Sequence, residues 1–594
     1  MRINKSQEWV MNLGLLGFHR IIEFAKENLD VDLNDFRYSV KPEYIEFDIS
    51  LLENFSNYFF EYFLNRYDSA RDQIIKLEYY YRLCLKEEKF KDNLKYLKDI
   101  IKKNNDKIKK IDEQIFERCS EIYKEMGKIK NCEQMKDYEE IIKEYTSTIG
   151  IDYINRVITM NKFKSILFKS FFGQSSFLNL SNSSKSIEEQ KAIIQKDYIN
   201  TVIDNESLKK IICLEDEVEL KKFIEEKLKG NVHKNTEKIL KKINRELFGK
   251  KRKSENVNKV LENYSRCSIC GEEISIDEDY TEGNFIPLAV STSNSQNMFW
   301  NLKAEYPIGS MCKLILLCTA AGATDIFKNY LDDKYDYSDK VYYGFINLEG
   351  SLPELIKVNN NFEKRTDKDI SFESFILDSI SVNEKISRWQ LENILYVEFN
   401  TNYDAKKCKL NYFNIPNYLA RFIKDKGELI KKIKNQKTRF EVFDLMLARK
   451  DLNKLIHRKL RDKFRNPIEI FHIIKIEYYL RIYKGGEDVS SSQNVKQLNF
   501  IYTRGRKLGK VIKGENQENK IQGIVYRLLN AAKSNNRADF MDIVLRVHLT
   551  YGQEVPVLFL DVFKEEKLSF DEIAHSFITG LLSKEEEKGE DINE

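Results

Sequence analysis

Proline is almost missing, with seven residues in a chain of 594. Few positions therefore force a helix to stop or kink, and a mostly helical chain is expected. Histidine is also sparse: six residues, none in a His-Glu-x-x-His arrangement and none followed by aspartate, which removes those hydrolytic metal sites. No glycine-rich loop ends in Gly-Lys-Ser/Thr, so a phosphate-cradling nucleotide site is not expected either. Chance carboxylate pairs abound among so many acids, but none is marked out, and the chain reads as a non-enzyme without a catalytic cofactor. No apolar run approaches the roughly 18 residues of a membrane span. The first apolar stretch is interrupted by Asn12, His19 and Arg20 and lacks the small-residue cleavage pattern of a signal peptide. A cytoplasmic protein without membrane contact is expected. Nine cysteines scattered through the chain argue against a disulfide scaffold and for a reducing compartment. A net charge of only +4 excludes a global polycation, yet 32% of the residues are charged and the lysines come in blocks.

Hydrophobic spacing outlines the elements. Trp9, Leu13, Leu16, Ile21 and Phe24 recur at helical spacing over residues 6–25, with Gly14 and Gly17 opening a face to close approach. Residues 36–50 alternate around Lys41-Pro42 as a strand or hairpin would. A helical region follows over 51–149. Within it Phe90, Leu94, Leu97, Ile101, Ile108, Ile111 and Ile115 keep heptad spacing, with Asn104 as the polar exception; this fits an intermolecular coiled coil or, favoured for so short a repeat, a helical hairpin inside one subunit. Strand-like runs return at 341–348, 394–399 and 410–413. The last third is helical: Ser569 and Glu572 form a capping box with Leu568 and Ile573 as its staple, and Asn536 can cap a helix burying Phe540, Ile543, Val544 and Val547. His548 and His575 are expected on a helix surface or in a satisfied interface. The fold class is α+β, predominantly helical: a mixed N-terminal and central region with a zinc-ribbon-like insert, then a C-terminal helical bundle. The domains expected are 1–263 (α+β with the hairpin and a basic segment), 264–325 (the insert), 326–416 (mixed), 417–584 (the bundle) and 585–594 (an acidic disordered tail).

Cys267-Ser268-Ile269-Cys270-Gly271 is the sharpest local signal. A Cys-x-x-Cys-Gly turn puts two thiolates on one side of a knuckle, and the glycine lets the backbone curl beneath a metal. Cys312 and Cys318 are the next cysteines, and Gly309 stands where a second Cys-x-x-Cys would begin. Three readings remain open: a structural zinc site completed by Cys318 or a distant ligand, a decayed site without metal, and a redox pair. The last lacks a thioredoxin-like context.

Basic blocks point to nucleic acid. Lys251 and Arg252 close the first. Lys454, Arg458 and Arg461 fall on one helical face in a segment with few interleaved acids, a geometry that can track phosphates. Arg504, Arg506 and Lys507 form a third group, beside Gly505 and Gly509. In the loop 291–301, Asn294, Gln296 and Asn297 carry amides that can read base edges, although a turn stabilised by those amides fits equally.

Three stretches together resemble the large subunits of type I-B CRISPR Cascade complexes, in their clostridial-type branch: Trp9 to Phe18 with its paired glycines; Cys267 to Gly271 through Phe299-Trp300-Asn301 and Tyr306-Pro307-Ile308 to Cys312-Lys313-Leu314; and Tyr551-Gly552-Gln553 through Phe577-Ile578-Thr579-Gly580-Leu581. Gly309 departs from the family's second cysteine pair, which puts zinc occupancy in question. The resemblance implies an antiviral-defence protein that reads a protospacer-adjacent motif, helps open target double-stranded DNA and recruits a separate helicase-nuclease. Its implied partners are guide RNA, the Cascade backbone and handle-binding subunits, and a small subunit, in some members translated internally, here from about Met446. The residues by themselves also fit a guide-independent zinc-containing DNA-binding protein or a structural helical adaptor.

Overall fold

The structure is a computed structural model. It describes the chain apart from residues 215, 231, 250–253, 263, 272–273, 277–279, 282, 289–305, 329–336, 367–393, 404–406, 462–465, 486–491, 515–517, 565–567 and 584–594. The described residues are predominantly helical, with two small sheets. Contacts divide the chain into two compact units: Met1–Thr324 with Ser351–Ile356 and Phe399–Leu410, and Asp325–Gly350 with Lys357–Glu398 and Asn411–Glu594.

In the first unit, β1 (Arg2–Asn4), β2 (Ser39–Val40) and β3 (Tyr44–Glu46) form an antiparallel sheet in the order β1-β3-β2. The turn between β2 and β3 falls at the expected Lys41-Pro42. Helix α1 (Trp9–Asn28) is buried along most of its length. It is followed by α2 (Phe55–Arg66), α3 (Ser69–Cys84), α4 (Phe90–Ile108), α5 (Glu113–Met126), α6 (Cys132–Met135), α7 (Glu139–Ile149) and α8 (Asp152–Ser170). The heptad run is not one long helix. α4 stops at Ile108 and Asp112 caps α5, its carboxylate accepting from Ile115 N at 3.0 Å. Leu94, Leu97, Ile101 and Ile108 share a core with Cys119, Ile122, Met126 and Tyr145, so the hairpin buries its own seam. Asn105 Nδ2 donates to Cys119 O across it at 3.0 Å.

Helix α9 (Ile187–Ile194) opens on a capping box of Ser186 and Glu189 and passes through a π turn, Gln195–Ile199, into α10 (Asn200–Cys213). Helices α11 (Glu217–Lys229), α12 (Lys234–Phe248) and α13 (Val257–Leu261) follow, then α14 (Ser310–Leu317) and α15 (Thr319–Gly322).

Next along the chain come short α16 (Tyr337–Lys340), longer α17 (Leu352–Thr366) and a sheet of order β4-β5-β6-β7: β4 (Thr324–Phe327), β5 (Val341–Leu348), β6 (Ile394–Asn402) and β7 (Lys407–Asn414). Asn359, fully buried on α17, exchanges two hydrogen bonds with the Ile346 peptide, at 2.8 and 3.0 Å. The remaining helices are α18 (Asn417–Lys426), α19 (Glu428–Lys431), α20 (Gln436–Leu447), α21 (Asn453–Arg461), α22 (Pro467–Gly485), α23 (Ser492–Gly514), α24 (Glu518–Lys533), α25 (Arg537–Thr550) and α26 (Phe570–Leu582). One apolar core runs from Ile326 and Tyr396 through Ile474 and Tyr502 to Leu581.

Helix α26 is the axis of the bundle, packed by α22, α23 and α24. Its capping box forms as expected, and Glu572 then serves twice: it accepts from Ser569 N at 2.8 Å and takes a bidentate pair from Arg481 at 2.9 and 3.0 Å. Because this helix is buried on nearly every side, His575 is a core residue and not a surface one; burial pushes it down to about 3, so it stays neutral. His548 is also buried, its Nδ1 2.8 Å from Val544 O and its ring stacked on Phe577.

Candidate metal centre and nucleic-acid interface

The Cys-x-x-Cys turn folds as its spacing dictates. Gly271 adopts φ +72°, the left-handed region that suits glycine. The turn closes through Gly271 N to Cys267 O at 2.8 Å, and Ile269 N points at Cys267 Sγ at 3.4 Å. A bridge between Arg266 and Ile274 holds the two arms together. The third thiol arrives on a helix. Gly309 is the N-cap of α14, which places Cys312 in the first turn.

Cys267, Cys270 and Cys312 bring their sulfurs within 4.8 Å of one another. Sulfurs bound tetrahedrally at about 2.3 Å from zinc would stand about 3.8 Å apart, so a small contraction seats the ion. Hydrogen bonds from the Cys270 and Cys312 thiols, together with the Cys270 and Gly309 amides, hold Cys267 far below the ordinary thiol value. Cys312, as donor in that same set, is pushed far up. The arrangement can bind a soft cation such as zinc; it offers no water-activating group of its own.

Cys318 is not brought into this group. It lies at the C-terminal end of α14, fully buried, with its Sγ donating to Leu314 O at 3.3 Å. Among the described residues no other cysteine, histidine, aspartate or glutamate joins the three.

The segment carrying the thiols is welded to the first helix, a contact that sequence reading only half anticipated. A Cβ on Gly14 would stand 2.2 Å from Ile315 O, and one on Gly17 1.9 Å from Cys318 O. On the facing side, Gly322 is pressed against Leu13 O. Arg20 then donates to Ala321 O and Gly322 O at 3.1 and 2.9 Å, and Arg66 to Ala323 O at 2.8 Å, satisfying carbonyls that α15 leaves open. The small-residue run Ala320 to Ala323 was the available signal.

With this geometry in place, residues 260–324 match the model of the family described as CRISPR-associated protein (Cas_CXXC_CXXC). The match indicates a CRISPR-associated protein. It covers a small part of the chain, and that part holds all three clustered thiols and the helix that α1 grips. The family label carries two Cys-x-x-Cys pairs; in this chain the second reads Gly309-Ser310-Met311-Cys312. No curated protein and no solved structure matched the chain.

The expected nucleic-acid residues fall in several places. Lys454, Arg458 and Arg461 are exposed on α21, opposite buried Leu455, Ile456 and Leu460. Arg458 is joined to Glu441 of α20, and Lys459 beside it reaches Thr438 Oγ1 at 3.0 Å and Glu441 at 3.6 Å, so part of that positive charge is neutralised locally. On α23, Arg504 lies over the Phe500 ring at 4.9 Å, Arg506 is half-buried and Lys507 exposed. Gly505 and Gly509 serve packing there, their hypothetical Cβ atoms 2.4 and 2.7 Å from α26 carbonyls. Asn294, Gln296, Asn297, Lys251 and Arg252 lie outside the described residues. Among the described residues, no helix is long and apolar enough to cross a membrane.

Proposed function

We propose that this chain is the large subunit of a type I-B Cascade, a non-catalytic protein that reads the protospacer-adjacent motif, supports R-loop formation and recruits a separate helicase-nuclease. The observation that carries the reading is the CRISPR-associated family match over 260–324, coincident with the thiol cluster and with the helix on which α1 closes. The division of labour is physically coherent: guide pairing reads sequence, so the protein needs motif reading and backbone contacts and no active site. Zinc, where bound by Cys267, Cys270 and Cys312, would hold the knuckle to the start of α14. The basic face of α21 and the Lys507 side of α23 are the candidates for holding displaced strand or heteroduplex.

The test is DNA binding by the chain alone and by the chain reconstituted with guide RNA and the backbone subunits of its operon. The proposal expects tight, motif-dependent binding only in the reconstituted complex. Equally tight binding by the chain alone would replace it with a guide-independent DNA-binding protein.

A further inference from the structure

The first unit contains a cleft of about 1170 Å³ that no role above uses. It is lined by the end of α4 and the residues after it, α8 as far as Ile166, and the serine-rich loop leading into α9. Its lining includes five cations (Lys107, Lys110, Arg156, Lys162 and Lys185) against two carboxylates, Asp152 and Glu188. Two of the five are already committed. Arg156 forms a bidentate pair with Glu61 at 2.6 and 2.9 Å, and Lys162 is joined to Asp72. Burial opposes ionisation of Glu61, but hydrogen bonds from Arg156 and Lys191 outweigh it and keep the carboxyl charged. Glu188 is taken by Lys191 at 2.9 Å. Among the described residues Lys107 and Lys110 have no carboxylate partner, and Lys185 has only the charge of Glu189 beside it.

Lys107 is crowded by its own kind. Desolvation in the cleft, then the charges of Lys162, Lys76 and Lys103, hold it below the ordinary lysine value. The C-terminal dipole of α4 explains one cation near its end; it does not explain ammonium groups converging from α3, α4 and α8. Such a cluster is costly without an anion. The remaining walls mix apolar side chains such as Val157, Met160 and Ile166 with Asn161 and serines, and Tyr153 also lines the cleft, 48% exposed, its hydroxyl donating to Asp112 at 2.6 Å. That bond anchors the hydroxyl while about half of the residue stays open to solvent. Cations beside an exposed aromatic are the elements of a single-strand site, where phosphates meet the charges and an unpaired base stacks on the ring.

We propose that this cleft binds single-stranded nucleic acid, with Lys107, Lys110 and Lys185 meeting phosphates and Tyr153 stacking on a base. The site is independent of guide and motif, so it is tested on the full chain with labelled homopolymers, oligo-dT and oligo-U, by fluorescence anisotropy across a salt series. Lys107→Glu/Lys110→Glu is expected to weaken binding tenfold or more and to lower the log–log salt slope by about 1.4, two contacts at about 0.7 each. Tyr153→Ala should weaken it about fivefold or more with the slope unchanged, while Tyr153→Phe retains binding. Lys221→Glu/Lys222→Glu on exposed α11 makes the same change in net charge and should change little. A preference between the two oligomers names the strand as RNA or DNA and supports the site either way. An unchanged slope in the cleft variant with its thermal unfolding intact, an equal loss in the α11 control, or duplex bound as tightly as single strand would overturn the proposal. Failure here leaves the motif-dependent binding of the assembled complex untouched.

Discussion

At the scale of residues, the metal centre turns on which sulfur faces which. Spacing alone marked Cys267 and Cys270, because a knuckle needs nothing beyond two residues between ligands and a glycine after them. It could not choose the third ligand. Cys312 and Cys318 are six positions apart, about 120° around a helix, and only the start of α14 at Gly309 decides which faces the knuckle. Cys267→Ser and Cys312→Ser should therefore each abolish stoichiometric zinc in the purified chain, measured by elemental analysis, whereas Cys318→Ser should leave it unchanged. Loss of zinc in the Cys318 variant alone would reverse the assignment. Glu477 gives a second residue-scale prediction. Burial, aided by the Asp451 and Glu572 carboxylates and opposed by Leu452 N–H and Arg481, pushes it up to about 7. The folded state then holds a proton that the unfolded chain has lost, so stability should fall as pH rises from about 4.5 to about 7. Glu477→Gln should remove that slope in denaturant titrations and raise stability at the upper end; an unchanged slope would contradict it.

At the scale of elements, helices were legible where apolar spacing and caps agreed. The Ser569–Glu572 box formed, and Asn536 accepts from Asp539 N at 3.1 Å. The hairpin of α4 and α5 was legible as a heptad run but its break was not, since Asp112 caps only after the chain has turned. His575 is no surface residue because a helix buried on nearly all sides has no polar face to read, whereas His548 sits in the satisfied interface that was its other alternative. Glycine roles were half legible: Gly14 and Gly17 signalled close approach, but not to what. The bundle supplies a contrast in sign. A Cβ on Gly580 would meet Tyr502 O at 2.2 Å, whereas one on Gly523 of α24 meets nothing within 4 Å. Gly580→Ala should destabilise by about 1–3 kcal/mol or more, and Gly523→Ala should stabilise by up to about 1 kcal/mol. Thermal and chemical denaturation of the two variants check both; similar effects of one sign would mean that α23 and α26 do not pack as described.

At the scale of the whole molecule, two units divide the chain: one carries the thiol cluster and the basic cleft, the other the helical bundle with its exposed cations on α21 and α23. Composition foretold the helical character. It could not foretell that Ile326 of β4 and Leu581 of α26 share one core, because long-range packing leaves no local periodicity. The central claim, membership of a guide-bearing CRISPR complex, is tested most directly by purifying the tagged full chain from its native operon and sequencing the RNA that accompanies it. The account predicts short RNAs with repeat-derived handles, together with backbone subunits. A chain recovered free of RNA, from cells that demonstrably express a CRISPR array, would contradict it.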